Sequence, residues 1–142
     1  MYSFIFVTHG GLGGVLTDIA QKIMDEDISG RVKVFSVDFS MADVMEELKE
    51  KIKTAVDDFT AKKHKVLIFV DIFGGSPSNI AFSFAKTDNV DVISGTNLSM
   101  VMYAMEHMNS GRDFASMVDN ITRTGAQNIT SAKKLLVKRE TI

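Results

Sequence analysis

Val66-Leu67-Ile68-Phe69-Val70 is apolar at every position and far too short for a helix that spans a core. A strand of that kind has to be covered on both faces, because alternate side chains point to opposite sides. That one segment argues for a sheet sandwiched between helix layers. The rest of the chain supplies the helices. Tyr2 to Thr8 is a β-branched and aromatic run that reads as a first strand. Leu12, Leu16, Ile19 and Ile23 recur at helical spacing after Gly10-Gly11, giving a helix to about Asp25. Val32 to Val37 is a second strand. Val44, Leu48, Ile52, Val56 and Phe59 form one stripe on a helix faced with Glu and Lys. Its start is marked by Ser40 as a cap, Asp43 at the third position, and Phe39 and Val44 as a hydrophobic staple.

Beyond the apolar strand, Gly74-Gly75-Ser76-Pro77 opens a third helix, with Ser76 as N-cap and Pro77 as the first helical residue. Asp91 to Ser94 is a short fourth strand, and Leu98 to Met108 a Met-rich helix. Phe114, Met117, Val118 and Ile121 lie on another helix that stops near Gly125. The tail from Gln127 to Ile142 fits a helix, an edge strand or a segment docked on a partner subunit. Strands alternating with helices predict an α/β fold, a doubly wound and mostly parallel sheet of four strands; the order expected for it is 2-1-3-4. The 142 residues fit one domain, 1–142, and the single proline and absence of a polar linker mark no boundary.

Composition closes off several functions. A formal net charge of -2 leaves no electrostatic footprint for nucleic acid or an anionic membrane. The N-terminus has no basic segment before its apolar run and reads as a strand and not a leader. Without cysteine there is no disulfide or thiolate chemistry, which fits a reducing compartment. Three scattered histidines give no zinc spacing, so no metal is expected. The glycines of 10–14 match neither a Walker A loop nor a dinucleotide fingerprint, and no cofactor is expected.

Chemistry is expected outside the carboxyl ends of the strands, where strand order reverses. The loops there are Thr8–Gly14, Phe39–Ser40, Asp71–Ser76 and Gly95–Asn97. In the order 2-1-3-4 the first and third strands are neighbours, so His9 and Asp71 emerge side by side. A histidine ring nitrogen is a nucleophile near neutral pH. A carboxylate on the other nitrogen fixes the tautomer and stabilises the cation formed on attack. Gly10 and Gly11, with Gly74, Gly75 and Ser76, offer amides, a hydroxyl and helix N-termini to an anion. Each feature alone has an ordinary reading: a loop histidine, a turn aspartate, a helix start. Their coincidence at two neighbouring strand ends favours phosphoryl chemistry by positioning and charge stabilisation. His64, among lysines, reads as a solvated lead-in to the third strand. His107 and the methionines at 100, 102, 105 and 108 read as packing, in the core or at a subunit contact.

Three phrases carry a resemblance: Phe6-Val7-Thr8-His9-Gly10, Phe69 through Asn79, and Val92 through Met100. In order and spacing, over about Met1 to Gly125, they resemble the mannose-family enzyme IIA domains of the bacterial phosphoenolpyruvate:sugar phosphotransferase system. The resemblance implies a cytoplasmic phosphocarrier that takes a phosphoryl group on His9 from HPr. It passes the group to a histidine of a separate IIB component during sugar uptake. Asp71 is implied as the partner of His9, and Ser76 with its glycines as the phosphate site. It also implies a homodimer that exchanges a C-terminal strand, association with membrane IIC and IID components, and an aromatic where Phe73 stands. Other readings are a phosphocarrier subunit of a dihydroxyacetone-kinase-type system and a non-catalytic flavodoxin-like module. A histidine phosphatase fits poorly, since Thr8 stands where an arginine is needed to hold phosphate.

Overall fold

In a computed structural model, residues 1–38 and 45–140 are described, with side chains to 137. The strands are β1 (Tyr2–His9), β2 (Val32–Val37), β3 (Lys65–Val70) and β4 (Val90–Ile93). They form one parallel sheet in the order β2-β1-β3-β4. The chain winds outward from β1 to β2, then crosses back to β3 on the other side. The reversal therefore falls between β1 and β3, as expected for the order 2-1-3-4.

The two central strands are buried because each faces helices on both sides. Tyr2, Phe4 and Phe6 point into one core, with Leu67 and Phe69 of β3. Phe6 stacks on Phe69 at 5.0 Å between centroids, and Phe4 meets the same ring edge-on at 5.8 Å. That layer is closed by α1 (Leu12–Met24), α4 (Leu98–Glu106) and α5 (Phe114–Gln127). Ile5 and Val7 point the other way, with Ile68 and Val70, against α2 (Met45–Ala61) and α3 (Ser76–Ser83). Leu48, Ile52, Val56 and Phe59 of α2 are buried as their spacing predicts. The start signals at Phe39, Ser40, Asp43 and Val44, and the Phe39–Ser40 loop, lie outside the described residues.

Several expectations need correction. The helical spacing of α1 left its buried face open, and most of its apolar stripe turns outward. Leu12, Ile19 and Ile23 are exposed together with Val15, and the buried positions are Gly13, Thr17 and Ala20, with Leu16 half-buried. Small residues win that face because the helix lies close on the sheet. A Cβ at Gly13 would sit 2.8 Å from Thr8 Oγ1, 3.1 Å from Phe6 Cβ and 3.2 Å from Val34 Cγ1. Gly125 does not stop α5 either. The helix continues to Gln127, and Gly125 is buried where a Cβ would meet Met100 Cγ at 2.4 Å. It is a contact glycine for α4 and not a cap. The fourth strand begins one residue early, at Val90, and α4 ends at Glu106, before Met108.

The tail is helical: α6 spans Ala132–Glu140. Ile129, Leu135, Leu136 and Val137 are all exposed on it. Where the resemblance implies an exchanged strand, the described residues thus hold a helix without a core face. The methionines at 100, 105 and 108 are buried core, and Met102 packs against them, as expected. His107 also packs, stacked on Tyr103 at 4.0 Å with Nδ1 2.9 Å from the Tyr103 carbonyl.

Overpacking a close helix contact costs typically about 1–3 kcal/mol. Gly13→Ala and Gly125→Ala should each lower stability by about that amount, read as a shift in the urea midpoint with unchanged slope. Parent-like midpoints would show that the helices can retreat freely.

Candidate active site at the β1 and β3 strand ends

β1 and β3 are paired in register from Tyr2↔Lys65 to Val7↔Val70. The chains leave the sheet together, and His9 and Asp71 meet there. Asp71 Oδ2 accepts the His9 backbone N–H at 2.8 Å. His9 Nδ1 lies 3.0 Å from Oδ2 and 3.2 Å from Oδ1. The Ile72 N–H donates to Oδ1 at 2.9 Å. One carboxylate therefore holds both the main chain and the ring of the histidine. The His9 side chain is 31% exposed and that of Asp71 10%. Reagent-sized access is on the histidine side of the pair.

Burial raises the Asp71 carboxyl, but the His9 N–H, the His9 ring and the Ile72 N–H outweigh it, and the net pKa lies below the ordinary carboxylate value. An ionised Asp71 accepts from Nδ1–H, so the ring lone pair resides on Nε2. Nε2 is then the atom that can attack.

The glycines divide by task. The Gly10 N–H is used by the Val37 carbonyl at 3.1 Å, extending the β1–β2 ladder past His9. Gly11 is the N-cap of α1. Gly74 and Gly75 have φ of +95° and +84°, which a side chain would strain, and they turn the Asp71 loop into α3. The Gly74 N–H points to Ser78 Oγ at 3.3 Å, and Ser78 is buried. The expected cap is displaced by one residue: Gly75 is the N-cap, and Ser76 is the first helical residue, exposed at the helix start. Gly75 carries no side chain to cap with, and Pro77 has no N–H, so the Ser76 and Ser78 amides are the first-turn donors of α3 offered to an external acceptor.

Sequence reasoning missed three residues around the pair. Thr8, fully buried, accepts the Gly13 N–H at 2.7 Å and so ties the start of α1 to the residue before His9. Asn97 caps α4 by accepting the Met100 N–H at 3.1 Å. Thr96 bonds to Val70 at the end of β3. The signal for Asn97 was its place before a helical run; nothing local marks the threonines. His64, read as solvated, is instead half-buried. Its Nδ1 is 2.7 Å from the buried Ser3 Oγ, and its ring stacks on Phe59. Burial, with Arg31, the N-terminus and Lys62 nearby, lowers its pKa. It sits at the start of β3, at the opposite end of the sheet from His9. Among the described residues no cluster of three metal-ligating side chains occurs, and no helix is long and apolar enough to cross a membrane.

A doubly wound sheet with a carboxylate-oriented histidine at its reversal point defines a class: an α/β protein with a partly exposed imidazole held by a carboxylate at its strand ends. Comparison with known proteins narrows it. Residues 3–122 match the family described as "PTS system fructose IIA component". The chain belongs to that family, the mannose/fructose IIA components of the sugar phosphotransferase system. It is 32% identical over 112 residues to the fructose-specific EIIA component of Bacillus subtilis, covering 76% of this chain and 73% of that protein. It is 25% identical over 138 residues to the mannose-specific EIIAB component of Escherichia coli, covering 96% of this chain but only 41% of that longer protein. Among solved structures, an EIIA component from Streptococcus agalactiae superposes with a TM-score of 0.79 at 21% identity, over 94% of this chain and 99% of that one. The IIA protein associated with the fucose utilization operon of Streptococcus pneumoniae gives 0.80 at 21%, over 95% and 96%. These likenesses agree with the fold and the strand order.

The carboxylate makes a pH prediction. Because the folded-state pKa of Asp71 is lowered, its stabilisation is present above the unfolded value of about 3.9 and disappears as pH falls through the folded value. The urea midpoint of the parent should exceed that of Asp71→Asn at pH 7, and the gap should close on acidification below about pH 4. A gap independent of pH would mean the charge contributes nothing.

Proposed function

We propose that His9 is the phosphoryl relay of this IIA component, accepting the group from HPr and passing it to a IIB component during sugar uptake. The observation that carries the reading is the contact of His9 Nδ1 and backbone N–H with one Asp71 carboxylate. Nε2 attacks the donor's phosphorus. The Nε2–P bond forms as the bond from phosphorus to the donor breaks, and that electron pair leaves with the donor. The ring becomes cationic, and Asp71 compensates the charge through Nδ1–H. The exposed start of α3 at Gly75 and Ser76 supports a role in receiving the phosphoryl oxygens, with Gly10, Gly11 and Gly74 shaping the backbone around them. The second transfer reverses the first, so the protein is a phosphotransferase without a sugar site of its own.

The surroundings suit protein partners. Ile72 and Phe73 project beside Asp71, with Phe73 75% exposed and edge-on to Phe82 at 5.6 Å. The exposed stripe Leu12, Val15, Ile19 and Ile23 begins three residues after His9. Apolar surface next to a reactive residue is a docking rim more than a pocket lining. HPr and a IIB component as partners, a homodimer, a cytoplasmic site of action alongside membrane IIC and IID components, and a single domain over 1–142 belong to this reading. The relatives are named for fructose and for mannose, which fits a component that does not touch the sugar.

With phosphoenolpyruvate, enzyme I and HPr, the parent should gain one acid-labile phosphoryl group. His9→Ala should gain none, and Asp71→Ala should slow transfer by about 10- to 100-fold while keeping its circular dichroism. An adduct that survives His9→Ala refutes the relay. Ile19→Glu should raise the KM for HPr several-fold with little change in kcat; an unchanged KM removes the α1 stripe from docking.

A further inference from the structure

We propose that Thr96 is a positioning residue for the His9–Asp71 pair, acting through the last carbonyl of β3. The proposal rests on the relay reading above. The β3–β4 ladder ends at Phe69↔Ile93, one residue short of the end of β3. Val70, at 1% exposure, has no water to turn to, so its carbonyl needs another donor on that side. Thr96 supplies two. Its backbone N–H reaches the Val70 carbonyl at 3.2 Å and its Oγ1–H at 2.8 Å.

The donor is itself held. Gly95, at φ +71°, turns the chain back over the strand end. Asn97 accepts the Met100 N–H with Oδ1 and donates from Nδ2 to the Gly125 carbonyl at 3.3 Å, which links the turn to both α4 and α5. The Val70 carbonyl belongs to the peptide that leads into Asp71. Fixing that peptide plane fixes where the Asp71 Cα starts and where its carboxylate points. The carboxylate then has to meet the His9 N–H at 2.8 Å and Nδ1 at 3.0 Å at once. Hydrogen bonds lose strength steeply with distance and angle, so a shift of a few tenths of an ångström at the Asp71 backbone weakens both together. Loosened, the ring samples the other tautomer, in which Nε2 carries the proton and cannot attack.

The test compares Thr96→Val, which keeps shape and N–H but loses the hydroxyl, with Thr96→Ser, which restores it, and with Asp71→Asn. The readout is the pair of ring 15N shifts of His9 in unphosphorylated protein at alkaline pH, with no donor present. Thr96→Val should move them from the parent pattern toward that of Asp71→Asn, and Thr96→Ser should return them. Phosphoryl transfer in Thr96→Val should slow by about 2- to 10-fold in kcat with KM for HPr unchanged. Ring shifts identical to the parent, with only a lowered melting temperature, would overturn the proposal and leave Thr96 as a loop clasp. A parent that accepts no phosphoryl group from HPr would refute the relay reading separately, since the ring shifts are read without transfer.

Discussion

Everything at the working end of this molecule depends on one carboxylate reaching across from β3 to β1. Asp71 accepts the His9 main-chain N–H and faces the His9 ring. It does so because parallel pairing sets Val7 opposite Val70, so the two chains leave the sheet at the same level. The pairing in turn requires both strands to be apolar on both faces, with a helix layer on each side. The aromatic stack of Phe4, Phe6 and Phe69 on one face and the aliphatic layer of Ile5, Val7, Ile68 and Val70 on the other make the register stiff. A slip of one residue would exchange the two cores and separate the pair. The site is thus a consequence of the central strands, and its precision comes from the core beneath it.

That dependence explains which parts were legible in the sequence. Apolar runs such as Val66–Val70 state their own burial, the alternation implied a parallel sheet, and the expected order 2-1-3-4 is the one the structure has. His9 and Asp71 could be paired on those grounds alone, before any likeness was considered. The burial of α1 was not legible, because periodicity locates an apolar stripe but not its partner. Of Leu12, Leu16, Ile19 and Ile23 only Leu16 packs against the core, and the fully buried positions are Gly13, Thr17 and Ala20. Gly125 was misread for a related reason: glycine marks helix ends and close helix contacts alike, and Met100 decides between them. The cap at α3 moved from Ser76 to Gly75 because the turn after Asp71 needs positive φ at two successive residues. Thr96 acts across the chain on Val70 and Thr8 on the start of the next helix, and neither leaves a local mark.

The shape of the site carries a functional consequence. His9 lies at a strand end with exposed apolar residues around it, Leu12 and Val15 on one side and Ile72 and Phe73 on the other, and on the proposed relay reading specificity comes from protein surfaces that fit them. The small residues that draw α1 against the sheet also free its larger side chains to face outward. One packing choice therefore builds the core and the rim together.

The central claim is that Asp71 selects the reacting nitrogen. The position of the phosphoryl group on the His9 ring tests it most directly, read by combined 31P and 15N spectra of the protein phosphorylated through HPr. Attachment at Nε2 is predicted, with Nδ1 still protonated toward Asp71. Attachment at Nδ1 would contradict the account, because that nitrogen is the one the carboxylate holds.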